Sequence, residues 1–414
     1  MIPEELYRKL SMKNEKKIVL LVMDGVGDLP FDVKNISQAK ACGYYAKTPL
    51  ESAKTPNLDE LAKKSMTGLT FPVAIGVTPG SGPAHLSLFG YDPLKYNIGR
   101  GVLEALGIDF EMGKKDIATR ANFATSDEKG IIIDRRAGRI STEKNKEICS
   151  FLSSKIKTIE DVEVFIRSGK EHRFVVVFRG DGLSDSVTDT DPQQVGLKPN
   201  TSTPLDSKGE KTARIVNRFV GMASSLLKDY LPANFTLLRG ISKYPNIPSM
   251  EELFKLTPAA IATYPMYKGL ARLVGMEILK TGTTLASEFD TLKEHWSDFD
   301  FFYIHIKKTD SYGEDGNFEK KVSVIEEVDR KLPELLGLIP DCLIITGDHS
   351  TPCKMKAHSW HPNPFLLYSN LMRKDPASLF TESECAKGIL GRFEAVNVMS
   401  LMLAHTLKLK KYGA

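Results

Sequence analysis

Three unbroken apolar runs stand out along the chain: Ile18-Val19-Leu20-Leu21-Val22-Met23, Phe301-Phe302-Tyr303-Ile304-His305-Ile306 and Cys342-Leu343-Ile344-Ile345. None alternates polar with apolar. A run of this length and continuity predicts a strand covered on both faces, the habit of parallel sheets flanked by helices. Phe174-Val175-Val176-Val177-Phe178 is a fourth run of the same kind. Helical apolar spacing predicts helices over 56–64, 102–106, 213–228 and 318–332. Thr55 and Pro56 mark the start of the first, and Pro333 is expected to end the last. Residues 120–125 and 130–139 read as a hairpin turning at Asp127 to Gly130. The alternation of elements predicts an α/β fold with a mostly parallel sheet.

Each of the three runs gives way to residues of the same chemical kind. The first ends in Asp24-Gly25, the second in Lys307-Lys308-Thr309-Asp310, and the third leads through Thr346-Gly347 to Asp348-His349. Carboxyl ends of parallel strands are where open α/β sheets place their sites. His358 lies nine residues beyond His349. Carboxylates with imidazoles suit Zn²⁺ or Mn²⁺ better than Ca²⁺. Asp310 and Glu314 are close enough in sequence to share one ion if their loop coils, or Glu314 points to solvent. For Asp24 alone the competing reading is a turn acid, and for Asp348-His349 a strand end with a cap. A Gly/Pro-rich loop, Thr78-Pro79-Gly80-Ser81-Gly82-Pro83, runs into a short helix. Ser81 either caps that helix or accepts a phosphoryl group there, where free N–H groups favour an anion. Two divalent ions can clamp an in-line phosphoryl displacement.

The middle of the chain adds cations. Arg135, Arg136 and Arg139 fall in one short stretch, His172 and Arg173 precede the fourth apolar run, and Asp189 and Asp191 come after it. Guanidinium groups pair bidentately with carboxylate and phosphate, so the set suits a phosphorylated carboxylate. The alternative is a solvated basic face. Lys268 and Arg272 stand at i and i+4 on one predicted helix face.

The 414 residues leave room for two or three domains. A net charge of +4 without a long basic run fits attraction of a small anion and does not point to nucleic acid. Five cysteines (Cys42, Cys149, Cys342, Cys353, Cys385), with no Cys-x-x-Cys pair, predict reduced thiols in a cytoplasmic protein. The charged first residues are expected not to be a signal peptide, and no apolar run has the length of a membrane span.

Taken together, Met23-Asp24-Gly25, Lys47-Thr48-Pro49-Leu50-Glu51, Thr55-Pro56-Asn57-Leu58, Pro79-Gly80-Ser81 with His85-Leu86-Ser87, Gly90-Tyr91-Asp92-Pro93, Gly99-Arg100-Gly101, Asp134-Arg135-Arg136-Ala137-Gly138-Arg139, Glu171-His172-Arg173, Asp189-Thr190-Asp191-Pro192, Thr309-Asp310 and Asp348-His349-Ser350-Thr351-Pro352 carry a resemblance. The chain resembles the archaeal-type, 2,3-bisphosphoglycerate-independent phosphoglycerate mutases of the alkaline phosphatase superfamily. The resemblance implies an alkaline-phosphatase-like metal-binding domain in two segments, 1–100 and 258–414, with a smaller α/β phosphotransferase domain, 101–257, inserted between them. It implies interconversion of 3-phosphoglycerate and 2-phosphoglycerate, in glycolysis and gluconeogenesis, through a phosphoserine at Ser81.

By the same resemblance, Asp24, Ser81, Asp348 and His349 hold one divalent ion, and Asp310 and His358 the other. Mn²⁺ is the first choice, with Zn²⁺, Co²⁺ and Mg²⁺ also admitted. Arg135, Arg136, Arg139, His172, Arg173, Asp189, Asp191, Lys268 and Arg272 are implied to serve the substrate, and the inserted domain to keep water from the phosphoserine. Two positions depart from the family pattern. Glu314 stands where Thr-Asp-x-x-Gly-His has its histidine, and Gly82-Pro83 stands where Asp-Thr often follows the serine. Glu314 is therefore expected as a third protein ligand of the second ion. The competing functions are a phosphatase or phosphotransferase on another phosphate or phosphonate, and a metal-binding relative without catalysis.

Overall fold

The computed structural model describes residues 2–30, 47–96, 98–373 and 375–413. Cys42 lies outside them, and the other four cysteines are unpaired and buried. The chain forms two compact units, one drawn from Met1–Asn97 and Ile247–Ala414, the other from Ile98–Asn246. In chain order the strands are β1 (Ile18–Met23), β2 (Met66–Phe71), β3 (Asp116–Ser126), β4 (Ile132–Asp134), β5 (Thr158–Ile159), β6 (Val162–Ser168), β7 (Arg173–Arg179), β8 (Phe235–Lys243), β9 (Pro258–Ala262), β10 (Glu277–Ile278), β11 (Phe301–Ile306), β12 (Cys342–Thr346), β13 (Asn363–Ser369) and β14 (Gly391–Glu394).

The larger unit is an eight-stranded sheet in the order β10-β9-β11-β1-β12-β13-β2-β14. It is mostly parallel, with β13 antiparallel to both its neighbours. The three unbroken apolar runs are its three central strands, buried at every residue. One face contributes Val19, Leu21, Phe302, Ile304, Leu343 and Ile345 to the core, packed against Ile325, Val328 and Leu332 of the helix Phe318–Leu336. This helix passes the stop expected at Pro333. Proline removes one N–H, which orphans the carbonyl of Asp329. The Asn57 side-chain amide donates to that carbonyl at 3.1 Å, so the helix continues for one more turn. Among the described residues no helix is long and apolar enough to cross a membrane.

The smaller unit is a sheet in the order β4-β3-β7-β6-β5, with β8 on the other side of β3. The predicted hairpin is present, with Gly130 N–H donating to the Asp127 carbonyl. Its second strand covers only Ile132–Asp134, and Ala137–Arg139 is a 3₁₀ turn. One sheet face is apolar. Ile117, Ala121 and Phe123 of β3 and Phe174, Val176 and Phe178 of β7 join Ile148 and Leu152 of the helix Thr142–Lys155 and Ile215, Val216 and Phe219 of the helix Glu210–Leu227. Side chains alternate across a strand, so Arg120, Asn122 and Arg173 take the opposite face.

Candidate active site

In the larger unit the three central strands are in parallel register, Met23 beside Ile306 and Val22 beside Thr346. Each strand therefore delivers its next residues to one corner. Asp24 comes directly after β1, and its N–H still donates to the Ile306 carbonyl at 3.0 Å. Lys307 comes directly after β11 and opens the helix Lys308–Asp315, which carries Asp310. Asp348 and His349 lie just beyond β12. Asp24, Asp310, Asp348 and His349 are all buried.

Gly25 lets the loops meet. Its φ is +61°, and a Cβ there would lie 2.5 Å from Thr351 Oγ1 and 2.8 Å from Asp310 Oδ1. Below it the buried Lys321 ammonium donates to the carbonyls of Gly25 (2.8 Å) and Thr351 (2.9 Å) and to Asp28 Oδ2 (2.8 Å). It ties the β1 loop to the β12 loop.

Two groups of side chains have ligand atoms within 4.8 Å of one another: Asp24, Asp348 and His349, and Asp310, His349 and His358. The groups differ. In the first, Asp24 Oδ1 is buried without a hydrogen-bond partner, while Asp348 Oδ2 lies 3.2 Å from His85 Nδ1 and His349 Nδ1 lies 3.1 Å from Asp348 Oδ1. A buried oxygen left unpaired costs on the order of 1–3 kcal/mol. Two carboxylate oxygens and an imidazole nitrogen facing one space fit a divalent cation. In the second, Asp310 Oδ1 accepts from Thr351 Oγ1 at 2.5 Å and Oδ2 from Lys307 Nζ. His358 Nδ1 bonds the Pro79 carbonyl at 3.0 Å, and its Nε2 stands 2.8 Å from His349 Nε2. When the His358 Nδ1–H donates to Pro79, its Nε2 is the acceptor of the contact with His349. Burial presses the His349 pKa down, but Asp348, Asp24 and Asp310 outweigh it and hold it up at about 9. Burial likewise raises Asp348, and His349 and His85 reverse that and hold it well below the usual carboxylate range.

Ser81 is the first residue of the helix Ser81–Leu88, and Gly80 occupies the capping position. The serine is thus free of capping duty. The departure at Pro83 is harmless to the helix, since a first-turn N–H has no intrahelical partner to lose. The Tyr267 phenol donates to Asp24 Oδ2 at 2.5 Å and shares a hydrogen bond with Ser81. Its one proton goes to Asp24, so it accepts from the serine. Burial, then Asp24, pushes this phenol well above its ordinary pKa and keeps it protonated. His85 Nδ1 bonds the Ser81 carbonyl at 2.9 Å and lies 3.2 Å from Asp348 Oδ2.

Glu314 requires a correction. It is exposed on the helix Lys308–Asp315 and belongs to neither group. The buried stripe of that helix is Thr309, Asp310 and Gly313, with Gly313 against the Thr351 backbone. At 3.6 residues per turn Glu314 lies about 40° round from Asp310, on the side away from that stripe. Lys268 and Arg272 are half-buried on the helix Pro265–Leu273, also outside both groups. Sequence reasoning passed over Tyr267, one residue before Lys268, and Lys307. A lysine directly after a buried strand and three residues before an acid was the available signal.

In the smaller unit the polar face of the sheet gathers cations. Arg120 of β3 lies opposite Arg239 of β8, and Asn122 opposite Arg173 of β7. Burial, with Arg173, Arg100 and Arg239 nearby, brings Arg120 down to about 10 against the pull of Glu104, 3.6 Å away. Arg120 Nε, Asn122 Oδ1, Arg173 Nε and His172 Nδ1 are buried without partners. Burial, then Arg173, pushes His172 down to about 4, so it is neutral near pH 7.

The hairpin arginines behave differently. Arg135 is committed to Asp191, with bonds of 2.9 and 2.6 Å, and to the Gln193 carbonyl. Asp189 accepts from the Gly240 N–H at 2.9 Å. Arg135 and Asp191, both expected to serve the substrate, are paired with each other and latch two loops together. Arg136 and Arg139 are exposed. Arg120 and Arg239 were missed, though a lone arginine in an alternating or apolar strand is a visible irregularity.

A family model described as 2,3-bisphosphoglycerate-independent phosphoglycerate mutase matches residues 62–232. A Thermotoga neapolitana protein named probable 2,3-bisphosphoglycerate-independent phosphoglycerate mutase is 56% identical over 411 residues, 99% of each chain. An Aquifex aeolicus protein of the same name is 52% identical over 418 residues, covering 99% of this chain and 100% of its own. Among solved structures, a cofactor-independent phosphoglycerate mutase from Thermoplasma acidophilum aligns with a TM-score of 0.73 and 33% identity, over 94% of this chain and all of its own. A Pyrococcus horikoshii protein aligns with a TM-score of 0.81 and 29% identity, over 97% of this chain and all of its own.

Proposed function

The chain belongs to the 2,3-bisphosphoglycerate-independent phosphoglycerate mutase family, and from that membership we propose how its own residues carry the reaction. The activity is an isomerisation of a small phosphoglycerate. Ser81 is the nucleophile. Its Oγ attacks the phosphorus of 3-phosphoglycerate, the bond from phosphorus to the 3-oxygen breaks, and that oxygen takes up the serine's proton. The 2-hydroxyl of the retained glycerate then attacks phosphoserine, gives its proton to Ser81 Oγ as the phosphorus–serine bond breaks, and leaves as 2-phosphoglycerate.

Tyr267 aims the serine, since it accepts the Ser81 hydroxyl while its own proton is fixed on Asp24. The N–H groups of Ser81 and Gly82, unpaired within the first helical turn, face an anion favourably. Asp24, Asp348 and His349 hold the divalent ion that this reading requires. Such an ion, when bound, lowers the pKa of an adjacent hydroxyl and screens phosphoryl charge. Two carboxylates and one imidazole make Mn²⁺ the first choice. Arg120, Arg173 and Arg239, with Asn122, clamp the glycerate carboxylate or the phosphate, a reading supported by the buried Arg120 Nε, Arg173 Nε and Asn122 Oδ1 atoms that have no hydrogen-bond partner and by the affinity of guanidinium for such anions. We place the work in the cytoplasm, a reading supported by four unpaired buried thiols.

The observation that carries this proposal is Ser81 at the first helical position, relieved of capping and bonded to the phenol that holds Asp24. Its test is Ser81→Ala in a coupled assay on 3-phosphoglycerate with Mn²⁺, beside mass spectrometry of the wild type quenched during turnover. Loss of turnover together with a phosphorylated Ser81 peptide is expected. Turnover near wild type in Ser81→Ala would remove the nucleophile assignment.

A further inference from the structure

The two donor groups share His349, and one lysine reaches a carboxylate of each. That lysine is Lys307. Its Nζ lies 3.0 Å from Asp24 Oδ2, bonds Asp310 Oδ2, and is 3.4 Å from Tyr267 Oη. The rings of Tyr264 and Tyr267 stand 5.8 and 5.6 Å from it, within cation–π range. Two carboxylates, a phenol and two ring faces make a built ammonium site, one carboxylate coming from each donor group. The remaining Asp310 oxygen is taken by Thr351. Glu314 and Asp315, the further carboxylates of the helix that carries Asp310, are exposed.

Charge balance points the same way. Asp24, Asp310 and Asp348 are three buried carboxylates. One divalent ion and one ammonium neutralise them. A second divalent ion beside the ammonium would leave these protein groups with two positive charges in excess before a phosphoryl group arrives, and an unbalanced buried charge is costly.

We propose that Lys307 is the second cation of this centre: one divalent ion sits at Asp24, Asp348 and His349, and the Lys307 ammonium, bridging Asp24 and Asp310, takes the role of an ion at Asp310, His349 and His358. The proposal rests on the metal-centre reading above. It makes the chain a one-ion enzyme with a fixed organic cation beside Ser81. The ammonium cannot leave, so its charge stays in place when divalent ions are scarce.

The test is Mn²⁺ titration of the full chain, stripped of metal, by calorimetry and by electron paramagnetic resonance, for wild type, Lys307→Met and Lys307→Arg. Wild type and Lys307→Arg are expected to take one tight equivalent with the six-line signal of an isolated ion. Lys307→Met is expected to bind a second ion at least tenfold more tightly than wild type, with the broadened signal of two coupled ions. Two tight equivalents in wild type overturn the proposal whatever the variants do, as does a Lys307→Met that stays at one. A wild type without any tight equivalent would overturn the metal-centre reading itself, an outcome separable from the other two.

Discussion

The metal corner of the larger unit and the arginine face of the smaller one gather charge of opposite sign by different means. The corner collects Asp24, Asp310, Asp348 and His349 because parallel strands in register end together, so each loop adds its first residues to one point. The arginine face collects Arg120 and Arg239 from the middle of β3 and β8 and Arg173 from the start of β7, across an antiparallel sheet. In the corner most charges meet a counter-charge within the protein, such as Asp348 with His349 and Asp24 with Lys307. On the face the guanidinium groups repel one another, and Arg120 is brought down to about 10. A site of balanced charge is suited to the chemical step. A site of unbalanced charge is suited to binding an anion from outside.

The comparison predicts different kinetic signatures. The largest effect is expected in the corner. Asp348→Asn should lose the tight Mn²⁺ equivalent and lower kcat by on the order of 10³-fold, the scale of removing a group that acts on developing charge. A variant that keeps both the ion and its turnover would break the comparison at its stronger end. Next, Arg120→Ala and Arg173→Ala should raise the KM for 3-phosphoglycerate, with a loss of about 2–5 kcal/mol in kcat/KM, the range for one partner of a desolvated charge pair. Steady-state kinetics decides it, and an unchanged KM in both would move the anion clamp elsewhere, to Lys268 and Arg272 first.

Smaller effects should separate site from scaffold within the smaller unit. Arg135→Ala leaves Asp191 buried and unpaired, so it should destabilise the fold by on the order of 2 kcal/mol while sparing KM. The figure is held below the full buried-pair cost because about a quarter of the Arg135 side chain is exposed. Thermal unfolding beside kinetics checks both halves. Arg136→Ala and Arg139→Ala, at exposed positions, should change neither property by more than about 0.5 kcal/mol. The smallest effect is expected at Glu314. Glu314→Ala should bind as many Mn²⁺ ions as wild type and turn over at a similar rate, because the side chain points to solvent. A lost equivalent would return Glu314 to the metal and weaken the assignment of Lys307.

The corner was legible in the sequence, and the reason is local. A strand buried on both faces is an unbroken apolar run, and the residues that leave it are read directly after it. Asp24, Asp348-His349 and Asp310 were found that way, and the central strands lie where the runs predicted. Even there, partners contributed by distant segments were not visible. Tyr267 reaches Asp24 from the helix Pro265–Leu273, and Lys321 ties two loops from the helix Phe318–Leu336. The arginine face was legible only in part for the same reason: Arg173 was visible in the sequence, while Arg120 and Arg239 were not. Arg135, Arg136 and Arg139 are neighbours in sequence, but Arg135 is spent on Asp191 and the other two face solvent.

The sequence by itself determined the α/β class, the central strands, the acids at their ends and the serine loop, because burial on both faces and turn chemistry are written in consecutive residues. The tertiary structure decided which charges meet. It set Lys307 between Asp24 and Asp310, turned Glu314 outward, and brought Arg239 beside Arg120. Those outcomes depend on strand register and on the rotation of a helix about its axis. Both are settled by packing over the whole unit, where a shift of one residue moves a side chain to another face.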